Sequence, residues 1–191
     1  IFIGLVAPIG SSRPQVVKAL KDALRPYEYL VEPVRLSDLL DEVPRGSDDP
    51  LPQRTQPGYY QARMDAGDAL RREAGDWSAL AALAVARTAD KRAKRLLDAS
   101  RGARLEPVAY VFDSLKHPRE ASLLRSVYGP AFWLVSIVQD ITERITNLAD
   151  DLAKQDGEFG STSETRASEL IARDESDPDA AHGQHVRDVF G

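Results

Sequence analysis

Eight residues near the start of the chain, Ala7-Pro8-Ile9-Gly10-Ser11-Ser12-Arg13-Pro14, lie between an apolar run and a helical pattern. A phosphate-binding loop has the pattern G-x-x-x-x-G-K-[ST] in the same setting. Its amides and helix N-terminus cradle phosphates, its lysine reaches the outer phosphates, and its hydroxyl holds magnesium. Here Ala7 and Ser12 replace the two glycines and restrict the backbone. Arg13 keeps the positive charge but presents a planar fork instead of a compact ammonium. Pro14 removes both the hydroxyl and an amide donor. Gly10, Ser11, Ser12 and Arg13 are therefore candidates to hold a nucleotide, with or without magnesium. Three outcomes stay open: a plain strand–turn–helix connection, phosphate binding without efficient hydrolysis, and a working phosphoryl-transfer site.

Asp113 is the second candidate. It closes the apolar run Val108-Ala109-Tyr110-Val111-Phe112, where a phosphate-loop protein places its magnesium-coordinating carboxylate. Lys116 and His117 follow at the carboxyl edge of that strand, where open α/β sheets bind ligands. Arg173, in Arg173-Asp174-Glu175, is the third, because mobile arginines near the end of nucleotide kinases close over transferring phosphates. A solvent-exposed arginine paired with a neighbouring carboxylate is the plainer reading of it. His182 and His185 are three apart, but with no nearby third ligand they do not make a metal site.

The elements that must position these residues follow from apolar patterning. Strands are expected near 1–6, 29–34, 108–113 and 131–138, the first and third central and adjacent. Helices are expected from Pro14 to Leu24, 36–41, 59–74, 77–99 and 119–128, and through Ile141, Ile145, Leu148 and Leu152. Residues 43–58, rich in proline and glycine, read as a long mobile loop. The acidic stretch from Asp156 to Asp179 reads as part loop, with a helix over 164–172. Arg87, Lys91, Arg92, Lys94, Arg95, Arg101 and Arg104 form a basic stretch, either a solvated face or a surface facing an anion or subunit. Strand–helix alternation gives an α/β fold, a three-layer sandwich around a mainly parallel sheet.

Composition narrows the function classes. The 191 residues suit one domain, with 42% hydrophobic and 29% charged residues. A net charge of −5 argues against a general nucleic-acid binder. Without cysteine there is no disulfide, thiol nucleophile or thiolate zinc site. No apolar run nears the length of a membrane helix, so no membrane partner and a cytoplasmic location are expected. The chain opens inside an apolar strand and stops at Val189-Phe190-Gly191, which reads as a piece of a longer polypeptide.

Several segments together resemble the N-terminal part of the anti-phage dCTP deaminase (deoxycytidylate deaminase-like) family. They are Ile3-Gly4-Leu5-Val6-Ala7-Pro8-Ile9-Gly10, Val34-Arg35-Leu36-Ser37-Asp38-Leu39-Leu40 and Met64-Asp65-Ala66-Gly67-Asp68-Ala69-Leu70-Arg71. Further matches are Ser114-Leu115-Lys116-His117-Pro118-Arg119-Glu120, Leu123-Leu124-Arg125-Ser126-Val127-Tyr128-Gly129, Arg173-Asp174-Glu175 and Gly183-Gln184-His185-Val186-Arg187-Asp188-Val189-Phe190. The resemblance implies a P-loop NTPase-like, nucleotide-kinase-like domain preceding a zinc-dependent deaminase domain that depletes deoxycytidine nucleotides in antiviral defence. The zinc signature of that second domain, H-x-E with a later P-C-x-x-C, is absent, so the deaminase is expected after Gly191. What the resemblance leaves for this stretch is a nucleotide-binding regulatory or assembly role. Its implied partners are a deoxycytidine nucleotide or ATP or GTP, its own deaminase domain, and a second copy of the chain. A stand-alone nucleoside or nucleotide kinase and a non-catalytic interaction module are the alternatives.

Overall fold

The computed structural model describes residues 1–44, 49–157, 160–175 and 189. Strands β1 (Phe2–Val6), β2 (Leu30–Arg35), β3 (Val108–Leu115) and β4 (Phe132–Ser136) form one sheet in the order β2-β3-β1-β4. Every pairing is parallel, with Ile3 opposite Val111 on one side and Trp133 on the other. The two most continuous apolar runs, β1 and β3, are the central neighbours, as expected of strands buried on both faces.

Side-chain alternation distributes the helices. Ile3, Leu5, Ala109, Val111 and Val31 point to one face, where Val16, Val17, Leu20 and Leu24 of α1 (Arg13–Leu24) cover them. Phe2, Tyr110, Phe112 and Phe132 point to the other, against Leu80, Ala81 and Ala84 of α3 (Ala79–Ser100) and Ala121 and Leu124 of α4 (Pro118–Tyr128). This makes the three layers. Gly4 sits where a Cβ would lie 2.8 Å from the Phe132 ring and 2.9 Å from Leu115, so the close packing over β1 requires glycine.

A third cluster lies beyond the carboxyl ends of the strands. Ile9 packs there with Met64 of α2 (Tyr59–Ala74), Leu148 and Leu152 of α5 (Ile141–Asp156), and Ala167, Leu170 and Ile171 of α6 (Ser161–Glu175). It pins the β1–α1 turn between three helices.

Some expectations shift. Residues 36–42 form a 3-10 segment, whose Leu36, Leu39 and Leu40 join the core. β3 runs two residues past Asp113, because Leu115 is fully buried and pairs with Val6 after a register shift. Asp113 therefore lies inside the strand and does not close it. The acidic stretch is helical from 161 to 175, since its charges meet partners within the protein. Of the expected loop, residues 45–48 lie outside the described residues, and 49–58 hold neither helix nor strand.

Candidate functional site

The β1–α1 turn reverses at Gly10, with φ near +80°. A Cβ there would strike the Arg144 carbonyl oxygen, so both the backbone conformation and the close approach of α5 demand glycine. Arg144 donates from Nε to the Ile9 carbonyl at 3.1 Å, and Asn147 donates from Nδ2 to the Gly10 carbonyl at 3.1 Å. The turn is held from outside as well as by its own bonds.

Four of the turn's amides, those of Ile9, Ser11, Ser12 and Arg13, are engaged. Ser11 N–H donates to the Pro8 carbonyl at 3.2 Å, Ser12 N–H to Gln139 Oε1 at 2.8 Å, and Arg13 N–H to the Ser11 carbonyl at 2.8 Å. The Ile9 N–H donates to the Asp174 carboxylate at 2.7 Å. The donors that a phosphate would take are thus met by internal acceptors, one of them an anion.

Asp113 is 5% exposed. Its Oδ1 accepts from Arg13 at 3.2 Å, and its Oδ2 lies 3.9 Å from Arg35 Nε. Both oxygens face guanidinium groups, and Pro14 offers no hydroxyl, so this donor set does not fit a magnesium ion. Among the described residues no group of three or more histidine, cysteine, aspartate or glutamate side chains is placed to hold a metal.

Lys116 projects from the end of β3 under the turn. Its Nζ donates to the Ala7 carbonyl at 2.9 Å and to Asp174 Oδ1 at 2.7 Å. Burial lowers its pKa from the ordinary lysine value, against the opposing pull of the Asp174 carboxylate. Arg173 does not reach over the turn. It pairs with Asp65 at 2.8 Å and Asp68 at 2.7 Å, both on α2. His182 and His185 lie outside the described residues.

Arg13 and Lys116 open onto a narrow cleft of about 90 Å³ at the carboxyl ends of β1 and β3. Two further cations line it, Arg63 and Arg71, with Leu36, Leu40, Met64 and Leu80 as its apolar wall. Gly10, Ser11 and Ser12 line a neighbouring groove that Arg13 shares, and Asp113 lines a third groove behind Arg13. The expected residues other than Arg173, which lines none of them, are split among three concavities, with Arg13 at their junction.

Sequence reading missed Arg63 and Arg71. Both follow from the 3.6-residue period of α2, where Tyr60, Arg63, Met64, Gly67 and Arg71 share the face turned to the cleft. Arg63 donates to Asp41 at 3.0 Å through both terminal nitrogens. Arg71, 1% exposed, pairs with Asp68 at 3.0 Å and with Glu120 at 3.4 Å. Glu120 in turn accepts from the Lys116 and His117 amides at 2.7 and 3.1 Å, closing a capping box on α4. One chain of charges therefore runs from Arg173 through Asp68, Arg71 and Glu120 to the backbone carrying Lys116.

The basic stretch on α3 is largely met within the protein. Lys91 and Arg95 both bond Glu32 on β2, Lys94 pairs with Asp90, Arg87 with Glu42, and Arg104 with Glu28. It offers little charge to an outside anion. No helix among the described residues is long and apolar enough to cross a membrane.

A scan against protein-family models and a search of curated proteins both return no match for this chain.

Proposed function

We propose that this chain is a nucleotide-binding regulatory or assembly domain of a deoxycytidine-nucleotide deaminase, with a P-loop-like turn altered away from catalysis. The observation that carries the nucleotide reading is the cleft. Four cations, Arg13, Lys116, Arg63 and Arg71, line it beside an apolar wall at the carboxyl ends of two central parallel strands. Each is paired with a carboxylate of the protein, so an incoming anion would have to exchange with those partners. Open α/β sheets bind ligands at that edge. Phosphates can meet the cations there, and charge-assisted bonds of that kind are the strong ones.

Regulation fits better than transfer. Pro14 lacks the hydroxyl, and Asp113 is neutralised by arginines where a transfer site needs a metal-binding carboxylate. The deaminase domain as partner rests on the sequence resemblance. Its assembly role is supported by the edge strand β4 and the following turn, where Trp133 is 64% exposed and Val138 87% exposed.

Calorimetry with dCTP, dCMP, ATP and GTP tests the proposal. A deoxycytidine nucleotide or purine triphosphate should bind at millimolar concentration or tighter with no turnover. Arg13→Ala should weaken it by about 1.5–3 kcal/mol. Absence of binding by all four contradicts the nucleotide reading, and ATP turnover at an ordinary kinase rate contradicts the regulatory one.

A further inference from the structure

Asp174 is fully buried, and both of its carboxylate oxygens are taken by the ligand-binding edge of the sheet. Oδ2 accepts from the Ile9 amide and Oδ1 from the Lys116 ammonium, each at 2.7 Å. A loop amide before a helix and a lysine ammonium are the donor types that hold a phosphate. Here an anion from a helix 165 residues downstream sits on them.

The neighbours of Asp174 fasten the same turn of α6. Arg173 is paired with Asp65 and Asp68 of α2, and Glu175 accepts from Arg144 of α5 at 2.5 Å. Three consecutive side chains thus tie this turn to three different parts of the protein. Arg63 and Arg71, whose side chains line the same cleft, each also keep a buried Nε–H with no acceptor, as Arg144 does at a terminal nitrogen. Buried donors of that kind are costly to leave so.

We infer that Asp174 is a built-in occupant of the phosphate position, and that a nucleotide polyphosphate binds by displacing it and releasing the last turn of α6. This rests on the nucleotide reading above and assigns that site its regulation. A phosphate cannot take the Ile9 amide while Asp174 holds its single N–H at 2.7 Å, and the two like charges repel beside Lys116. Displacement leaves Lys116 paired with the incoming phosphate, so the half-buried cation is never without a counter-charge. Binding is thereby coupled to α6, which carries the signal to whatever α6 contacts.

The test compares the full chain with Asp174→Asn, titrated with inorganic pyrophosphate and with dCTP. Asparagine keeps an acceptor for the Ile9 amide but withdraws the competing charge, so pyrophosphate should bind about tenfold tighter or better. In the unsubstituted chain, dCTP should raise amide hydrogen exchange across residues 170–175. Equal or weaker pyrophosphate binding by a folded Asp174→Asn overturns the latch while leaving nucleotide binding standing. If that variant does not fold, hydrogen exchange in the unsubstituted chain decides: unchanged α6 exchange at saturating dCTP overturns the proposal. If neither protein binds either ligand, the nucleotide reading fails and the latch with it.

Discussion

Gly10 carries more of the site than any side chain in the turn. Its positive φ and the Arg144 carbonyl against it leave no space for a methyl group. Gly10→Ala should therefore cost about 2 kcal/mol or more, since backbone strain adds to a clash with backbone that cannot rotate away. Urea denaturation reads it as a lowered midpoint with little change in slope. Tyr60, on the cleft face of α2, donates its hydroxyl to Asp151 at 2.9 Å. Burial, with the Asp151 charge, pushes its pKa up to about 12 from the usual 10. The folded state then holds a proton that the unfolded state has released. This stability is complete below about pH 10 and is lost as pH rises towards 12. A spectrophotometric titration should show one phenol ionising near pH 12 that Tyr60→Phe removes.

At the scale of elements, α4 and the end of β3 are joined through Glu120. This carboxylate is fully buried and accepts from two amides and from Arg71. Glu120→Ala should destabilise the protein by about 2–4 kcal/mol, because it leaves the Lys116 and His117 amides without their acceptor and Arg71 with Asp68 alone. The loss should appear in thermal unfolding and exceed that of Glu120→Gln, which keeps an acceptor for the amides. β1, β3 and β4 were legible in the sequence because each is a short apolar run, and α1 and α5 because their apolar residues recur at helical spacing. β2 carries Glu32, Pro33 and Arg35 and gives a weaker signal. α6 was only partly legible. Its charges argue for solvent, yet Arg166 bonds Asp156, Arg173 bonds Asp65 and Asp68, and Asp174 bonds Lys116. Charge in a sequence does not tell whether water or another residue satisfies it. The α3 stretch shows the same limit, since its partner Glu32 lies about sixty positions away on β2.

For the whole molecule, the parallel order β2-β3-β1-β4 brings the ends of β1 and β3 together, and the cleft forms there. Arg13 and Lys116 could be chosen from the sequence because each follows a recognisable strand. Asp174 could not be assigned its place, because its two bonds span 165 and 58 residues of chain. Only the fold brings such groups within 3 Å. The alterations that disfavour transfer were visible at once in Arg13 and Pro14, whereas the internal anion that fills the turn was not. We propose that the cleft receives a nucleotide through cations, without a catalytic metal, and a crystal structure of the chain with dCTP is the decisive experiment. The triphosphate is expected against Arg13 and Lys116, with the Asp174 carboxylate moved off the Ile9 amide. Nucleotide bound elsewhere, or the cleft empty at saturating dCTP with Asp174 still on Ile9 and Lys116, would contradict it.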